Sequence, residues 1–201
     1  MSTLTIYGAN ASRAMRAIWM AKELGLEYEH VPTGTKDTKS PEFLAINPNG
    51  RVPALQDGDL CLWESMAINL YLARKHGGDL APKDVREEGL TYQWSFWVVT
   101  EMESAILTAL MHTVLLPEEQ RDSGRFDRAV ASLTPPLDVL DQALEGREYL
   151  AADRFTVADL NVASVLGWTK IFRLDYTPWP NVDAWLARCL GRPAYKEARG
   201  G

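Results

Sequence analysis

Residues 76 to 84 read HGGDLAPKD, two glycines and a proline in nine positions, and the grammar of the chain changes across them. Upstream, strand and helix patterns alternate; downstream the apolar residues keep to helical spacing. A chain of 201 residues, 46% of them hydrophobic, has enough apolar material for two small cores. The reading is therefore a mixed unit at 1–76, a linker at 77–86 and an all-helical unit at 87–201.

Charge follows the same division. Residues 1–76 carry 8 basic and 8 acidic side chains, against 13 and 19 in the remainder, so the net charge of −6 belongs to the second unit. Nothing resembles a basic stripe, which argues against nucleic acid as a partner. No run of about 18 apolar residues occurs, so no membrane span is expected. The opening MSTLTIYGAN lacks a secretory pattern, and only Cys61 and Cys189 are present, which together point to a cytoplasmic protein.

In the first unit, TLTIY (3–7) is β-prone and ends at Gly8; Ser12 can cap a helix with Ala17, Met20, Ala21 and Leu24 on one face, closed by Gly25. A second strand fits Tyr28–Val31, and a short helical piece ends before Asn47. This is a β-α-β unit, which implies parallel strands. Two short strands follow, 54–56 and 60–62, joined by the turn signal Asp57-Gly58; Ser65 can then cap a helix with Ile68, Tyr71 and Leu72. The order β-α-β, β-β-α with so few strands is the thioredoxin-like pattern. Pro53, at the start of a strand, is the odd residue, because it cannot donate to a ladder.

In the second unit a long helix is expected from about Asp84 to Leu115 and another from Pro117, which Pro135-Pro136 must kink or break. Further helices fit 157–172, 182–190 and 194–198. Thr156-Val157-Ala158-Asp159 is a capping box, in which each side chain satisfies the other's backbone donor.

Val52-Pro53 before a short strand, Glu64-Ser65 at a helix start, Phe155-Thr156-Val157-Ala158-Asp159 in the helical unit and Ser12 in YGANASRAMR together make the chain resemble the cytosolic glutathione S-transferases. The resemblance covers nearly the whole chain and is to the serine-type members, the theta and phi-like classes and their bacterial relatives. It implies an α/β thioredoxin-like N-terminal domain that binds glutathione, followed by an all-α helical bundle. It also implies a detoxifying enzyme that uses glutathione as co-substrate, with no tightly bound cofactor. The partner is a small apolar electrophile and the assembly a homodimer.

The resemblance makes the Val52-Pro53 bond cis, so that Val52 offers its N–H and C=O to the cysteinyl part of glutathione as an added strand would. Ser12, at a helix start, becomes the catalytic residue: its hydroxyl donates to the substrate's sulfur and holds it as the thiolate, the form that attacks. A plain N-cap is the other role open to Ser12, and Asn10 is the alternative catalytic residue. Glu64 suits the ammonium of the γ-glutamyl end; Ser65 and the helix N–H groups suit its carboxylate. Lys39 and Arg51 are the candidates for the glycyl carboxylate, where the family more often has a histidine near Thr38 and a glutamine at Arg51.

Trp94, Trp97, Met102, Met111 and His112 are the residues of the long helix from which an electrophile pocket between the units would draw its lining, with Glu101 and Glu103 toward a partner subunit. Both cysteines read as structural and Tyr7 as packed in its strand. No metal is expected, since His30, His76 and His112 lie far apart. Two other readings stay open: a glutathione-dependent reductase or dehalogenase on the same site, and a non-catalytic scaffold of this fold.

Overall fold

The computed structural model describes residues 4–200. They divide into two compact units, 4–81 with 191–200, and 82–190. Residues 191–200 therefore return to the first unit instead of closing the helical one, where the sequence pattern places them.

The first unit is built on a four-stranded sheet in the order β2-β1-β3-β4, from β1 (Leu4–Tyr7), β2 (Glu29–Val31), β3 (Ala54–Asp57) and β4 (Leu60–Trp63). β1 runs parallel to β2 and antiparallel to β3, and β3 pairs antiparallel with β4 across the Asp57-Gly58 turn. Thr3, expected in the first strand, lies outside the described residues. Helix α1 (Ala14–Glu23) and helix α3 (Ser65–His76) pack against each other and on the sheet, while the short α2 (Pro41–Ile46) is capped by Ser40. Ile6, Ile18, Trp19, Leu55, Ile68 and Leu72 are fully buried and form the centre of this core.

The second unit begins with α4 (Val85–Trp97) and α5 (Glu103–Leu110), which run as one 31-residue rod with π-helical stretches at Val98–Met102 and Met111–Leu115. This rod, Val85–Leu115, is by length and composition apolar enough to cross a membrane, although no unbroken apolar run of that length exists, because Glu101 and Glu103 interrupt it. It packs instead against α6 (Ser123–Ala131) and α8 (Val157–Leu166). Pro135 and Pro136 fall in the first turn of α7 (Thr134–Ala143), and α6 ends at Ala131, so the helical stretch is broken just ahead of the prolines, as expected. α9 (Pro180–Leu190) packs on α7 and α8, and α10 (Pro193–Ala198) packs on α1 in the first unit.

Every residue of α8 is buried. Its polar members are accordingly paired: Asn161 donates to Ser95 Oγ at 2.9 Å, and Asp159 accepts from Leu150 N–H, Thr156 N–H, Thr156 Oγ1 and Trp185 Nε1 at 2.9–3.1 Å. The Thr156–Asp159 capping box forms as expected.

Candidate functional site

The loop after β1 is fixed by a glycine. Gly8 has φ +126°, and a Cβ there would stand 2.6 Å from Ala14 Cβ and 2.9 Å from Val52 Cβ. Only glycine lets the start of α1 and the Val52 segment close on this point. Gly8 N–H donates to Val31 C=O at 2.9 Å, and its own carbonyl accepts from His30 Nε2 at 2.7 Å. A carbonyl can only accept, so that imidazole nitrogen carries a proton.

Ser12 is half-buried at the end of this loop. The N-cap position of α1 belongs to Arg13, one residue later than the sequence reading placed it, yet Ser12 Oγ still accepts the Ala14 N–H at 3.1 Å. Its proton goes to Ala9 C=O at 2.6 Å. Both capacities of the hydroxyl are thus visible: the acceptor serves the helix, and the donor rests on a neighbour from which it can rotate. Asn10 is differently engaged, its Nδ2 donating to Ala198 C=O at 2.9 Å.

The second segment is shaped by Asn47, which is 2% exposed. Its Nδ2 donates to Arg51 C=O at 2.6 Å and its Oδ1 accepts the Asn49 N–H at 3.0 Å. The Val52-Pro53 bond is cis. Among the described residues no protein group is hydrogen-bonded to Val52 N–H or C=O, which lie just beyond the last β1–β3 pair, Tyr7 with Ala54. Lys39 Nζ donates to Gly50 C=O at 3.1 Å, so the structure places its ammonium beside the Gly50-Arg51 turn. The side chains of Lys39 and Arg51 are exposed there.

The third segment is the start of α3. Ser65 was expected to cap it, but the N-cap is Glu64, held at φ 72° and ψ 114°. A non-glycine residue with this backbone is strained, and such strain is concentrated where ligands are held. Glu64 is exposed and makes no capping bond, which leaves the first-turn N–H groups of α3 without a side-chain partner. Ser65, 5% exposed, accepts from Arg16 Nη1 at 3.2 Å.

Arg16 is the residue that sequence reasoning missed. It is 1% exposed, within the buried stretch Ala14–Ala21 of α1, and it delivers a positive charge under a helix N-terminus that is itself positive. The available signal was a lone cation inside the apolar run AMRAIWMA. Such an arrangement asks for an anion.

The remaining residues sort as follows. Tyr7 donates to Gln56 Oε1 at 3.0 Å and stacks edge-on with Phe43, and burial raises its phenol pKa. In the second unit Trp94 and Met102 are core, whereas Trp97, Met111 and His112 are half-buried. Glu103 is 8% exposed and so does not face outward as Glu101 does. Cys61 and Cys189 form no disulfide. Among the described residues no cluster of three metal-ligating side chains occurs.

Comparison with known proteins finds matches in both units. Residues 2–74 match the family model described as Glutathione S-transferase, N-terminal domain, and residues 103–193 match the C-terminal domain. Glutathione S-transferase GstB of Escherichia coli is 31% identical over 200 residues, covering 96% of each chain. Glutathione S-transferase 1 of Zea mays is 34% identical over 210 residues, covering 98% of this chain and 96% of the other. Among solved structures, a theta class glutathione S-transferase from Xanthomonas axonopodis pv. citri with glutathione bound superposes with a TM-score of 0.91 at 32% identity, covering 100% of this chain and 99% of that one. The chain belongs to the cytosolic glutathione S-transferase family.

Proposed function

We propose that this protein is a glutathione transferase that adds the glutathione thiolate to small apolar electrophiles, with Ser12 as the residue that stabilises the thiolate. The observation that carries the reading is the meeting of three separate segments in the first unit. Gly8, at the head of the Ser12 loop, touches Val52, and Arg16, one helical turn beyond Ser12, touches Ser65.

Val52 has both backbone groups unused among the described residues, as pairing with an extended peptide requires. The start of α3, with Ser65 and the buried Arg16 charge, suits the γ-glutamyl carboxylate, and exposed Glu64 suits the neighbouring ammonium. Lys39 and Arg51 flank one turn and are the cations for the glycyl carboxylate.

The chemistry is differential stabilisation of an anion. A thiol with a pKa of about 8.5 is mostly protonated at neutral pH, and lowering it by about two units takes about 2.7 kcal/mol in favour of the thiolate. A rotated Ser12 hydroxyl donating to sulfur, beside the N-terminus of α1, supplies a charge-assisted bond of that order. The hydroxyl can keep the Ala14 N–H as it rotates, giving up only its bond to Ala9. Asn10 is the weaker candidate, because its amide N–H is engaged by Ala198.

The test is a titration with glutathione near neutral pH, following thiolate absorbance, for the native chain and Ser12→Ala. The native protein should give a thiolate signal that the variant loses, with turnover down by about 10²-fold or more and glutathione still bound. Unchanged turnover in Ser12→Ala would remove Ser12 from the mechanism.

The assembly proposed is a homodimer in the cytoplasm. Only 28% of the apolar window of the Val85–Leu115 rod is buried, and Val85, Tyr92 and Phe96 stand 83%, 44% and 59% exposed. Apolar surface of this kind marks an association face. Light scattering after size exclusion should give twice the chain mass.

A further inference from the structure

The Ser12 loop is tied to β2 at Gly8 and to its own next turn at Ser12, and between these points Asn10 reaches a residue 188 positions away. That residue, Ala198, is fully buried and is the last of α10. Its carbonyl is one of those that a helix end leaves without an intrahelical donor, and Asn10 Nδ2 supplies one at 2.9 Å.

α10 has its own seat on α1, independent of this bond. Arg192 makes a two-pronged pair with Glu23 at 2.6 and 2.7 Å, Tyr195 stacks edge-on to Trp19 with ring centres 4.8 Å apart, and Lys22 reaches Glu197 at 3.4 Å. Glu23 is further held by Trp19 Nε1 at 2.9 Å. The C-terminal helix is thus a fixed point. Asn10 itself is exposed, where water could serve its amide equally well, so the bond's effect is on position: it sets the Ala9–Ser12 turn, in which Ser12 N–H and Oγ both meet Ala9 C=O.

We propose that Asn10 is a positioning residue for Ser12, holding the loop against α10 so that the Ser12 hydroxyl lies where the glutathione sulfur binds. The proposal rests on Ser12 stabilising the thiolate, as argued above. Asn10 touches neither sulfur nor electrophile. Without it the Ala9–Ser12 turn loses its distant anchor, and the hydroxyl is no longer held at one place relative to the peptide bound at Val52.

The experiment measures the pKa of bound glutathione by thiolate absorbance at saturating glutathione, for the native chain, Asn10→Ala, Ser12→Ala, the double variant and Arg192→Ala. Asn10→Ala should raise that pKa by about one unit, about tenfold less thiolate at pH values well below it, with the glutathione dissociation constant changed no more than about threefold. Ser12→Ala should raise it further, and adding Asn10→Ala to Ser12→Ala should do nothing more. Arg192→Ala, which loosens α10 away from the loop, should shift the pKa in the same direction by less; it carries the test alone if Asn10→Ala fails to fold. A normal pKa in Asn10→Ala beside a raised one in Ser12→Ala would overturn the positioning role and leave the Ser12 reading standing. An Asn10→Ala effect that persists undiminished without Ser12 would make Asn10 a direct partner of the sulfur. No shift in Ser12→Ala would sink both.

Discussion

The starts of α3 and α8 each combine a hydroxyl residue with an acidic one, and they are finished in opposite ways. At α8, Thr156 and Asp159 satisfy each other's backbone donors, and Asp159 takes two more bonds from Leu150 and Trp185. At α3, Glu64 stands at φ 72° with its carboxylate exposed and no capping bond, while Ser65 is bonded to Arg16. The first arrangement spends all its hydrogen-bonding capacity on folding. The second keeps a positive helix end and a strained acid available, which is what a zwitterionic ligand group can use.

The strongest challenge to this contrast is Asp159→Ala. It strands four buried donors, so it should cost about 3–5 kcal/mol of stability, read as a lower urea midpoint. Glutathione affinity of the remaining folded protein should be unchanged. A loss below about 1 kcal/mol would mean that the capping box does not hold the helical unit together.

The start of α4 should fall on the folding side of the comparison, and pH can show it. Glu87 accepts Lys83 N–H and both prongs of Arg154, and the Arg154 guanidinium holds its pKa at about 2, below the ordinary 4.5. A carboxylate with a depressed folded pKa contributes stability above its unfolded pKa and loses it as pH falls toward the folded value. Here the window is from about 4.5 down to about 2. The pair is 15–21% exposed, so its worth at pH 7 is on the order of 1–3 kcal/mol. Glu87→Gln should therefore lower the urea midpoint at pH 7 and approach the native midpoint at pH 3. Asp159 works the other way: burial raises its pKa, so its protonation as pH falls favours the folded state.

Much of this was legible in the sequence because the signals were local. The Thr156–Asp159 spacing, the Asp57-Gly58 turn and the strand-helix alternation each act within a few residues, and each formed where expected. What escaped depended on segments distant in the chain. Arg16 reads as an ordinary helix cation until α3 is laid over it, and Asn10 reads as a loop amide until α10 returns 188 residues later. The backbone of Glu64 was equally hidden, since a positive φ at a non-glycine residue has no sequence signature. Pro135-Pro136 was legible too: proline's missing donor cannot sit in a helix interior but fits a first turn, so α6 ends at Ala131 and a new helix begins at Thr134.

The finest division of the two helix starts comes from Glu64→Gly. At a folding cap such a change is neutral or harmful, but glycine adopts φ 72° freely, so here it should relieve the backbone and raise stability by about 1 kcal/mol. On the function proposed here, the same change also removes the carboxylate that would meet the γ-glutamyl ammonium. Glutathione should then bind about tenfold or more weakly, a charge-assisted bond of about 1.5 kcal/mol being lost. Thermal unfolding and calorimetric titration on one preparation would read both. A variant that is stabler and binds less shows that Glu64 is kept in its conformation for the ligand, and one that loses stability shows that the strained cap serves the fold, as Asp159 does.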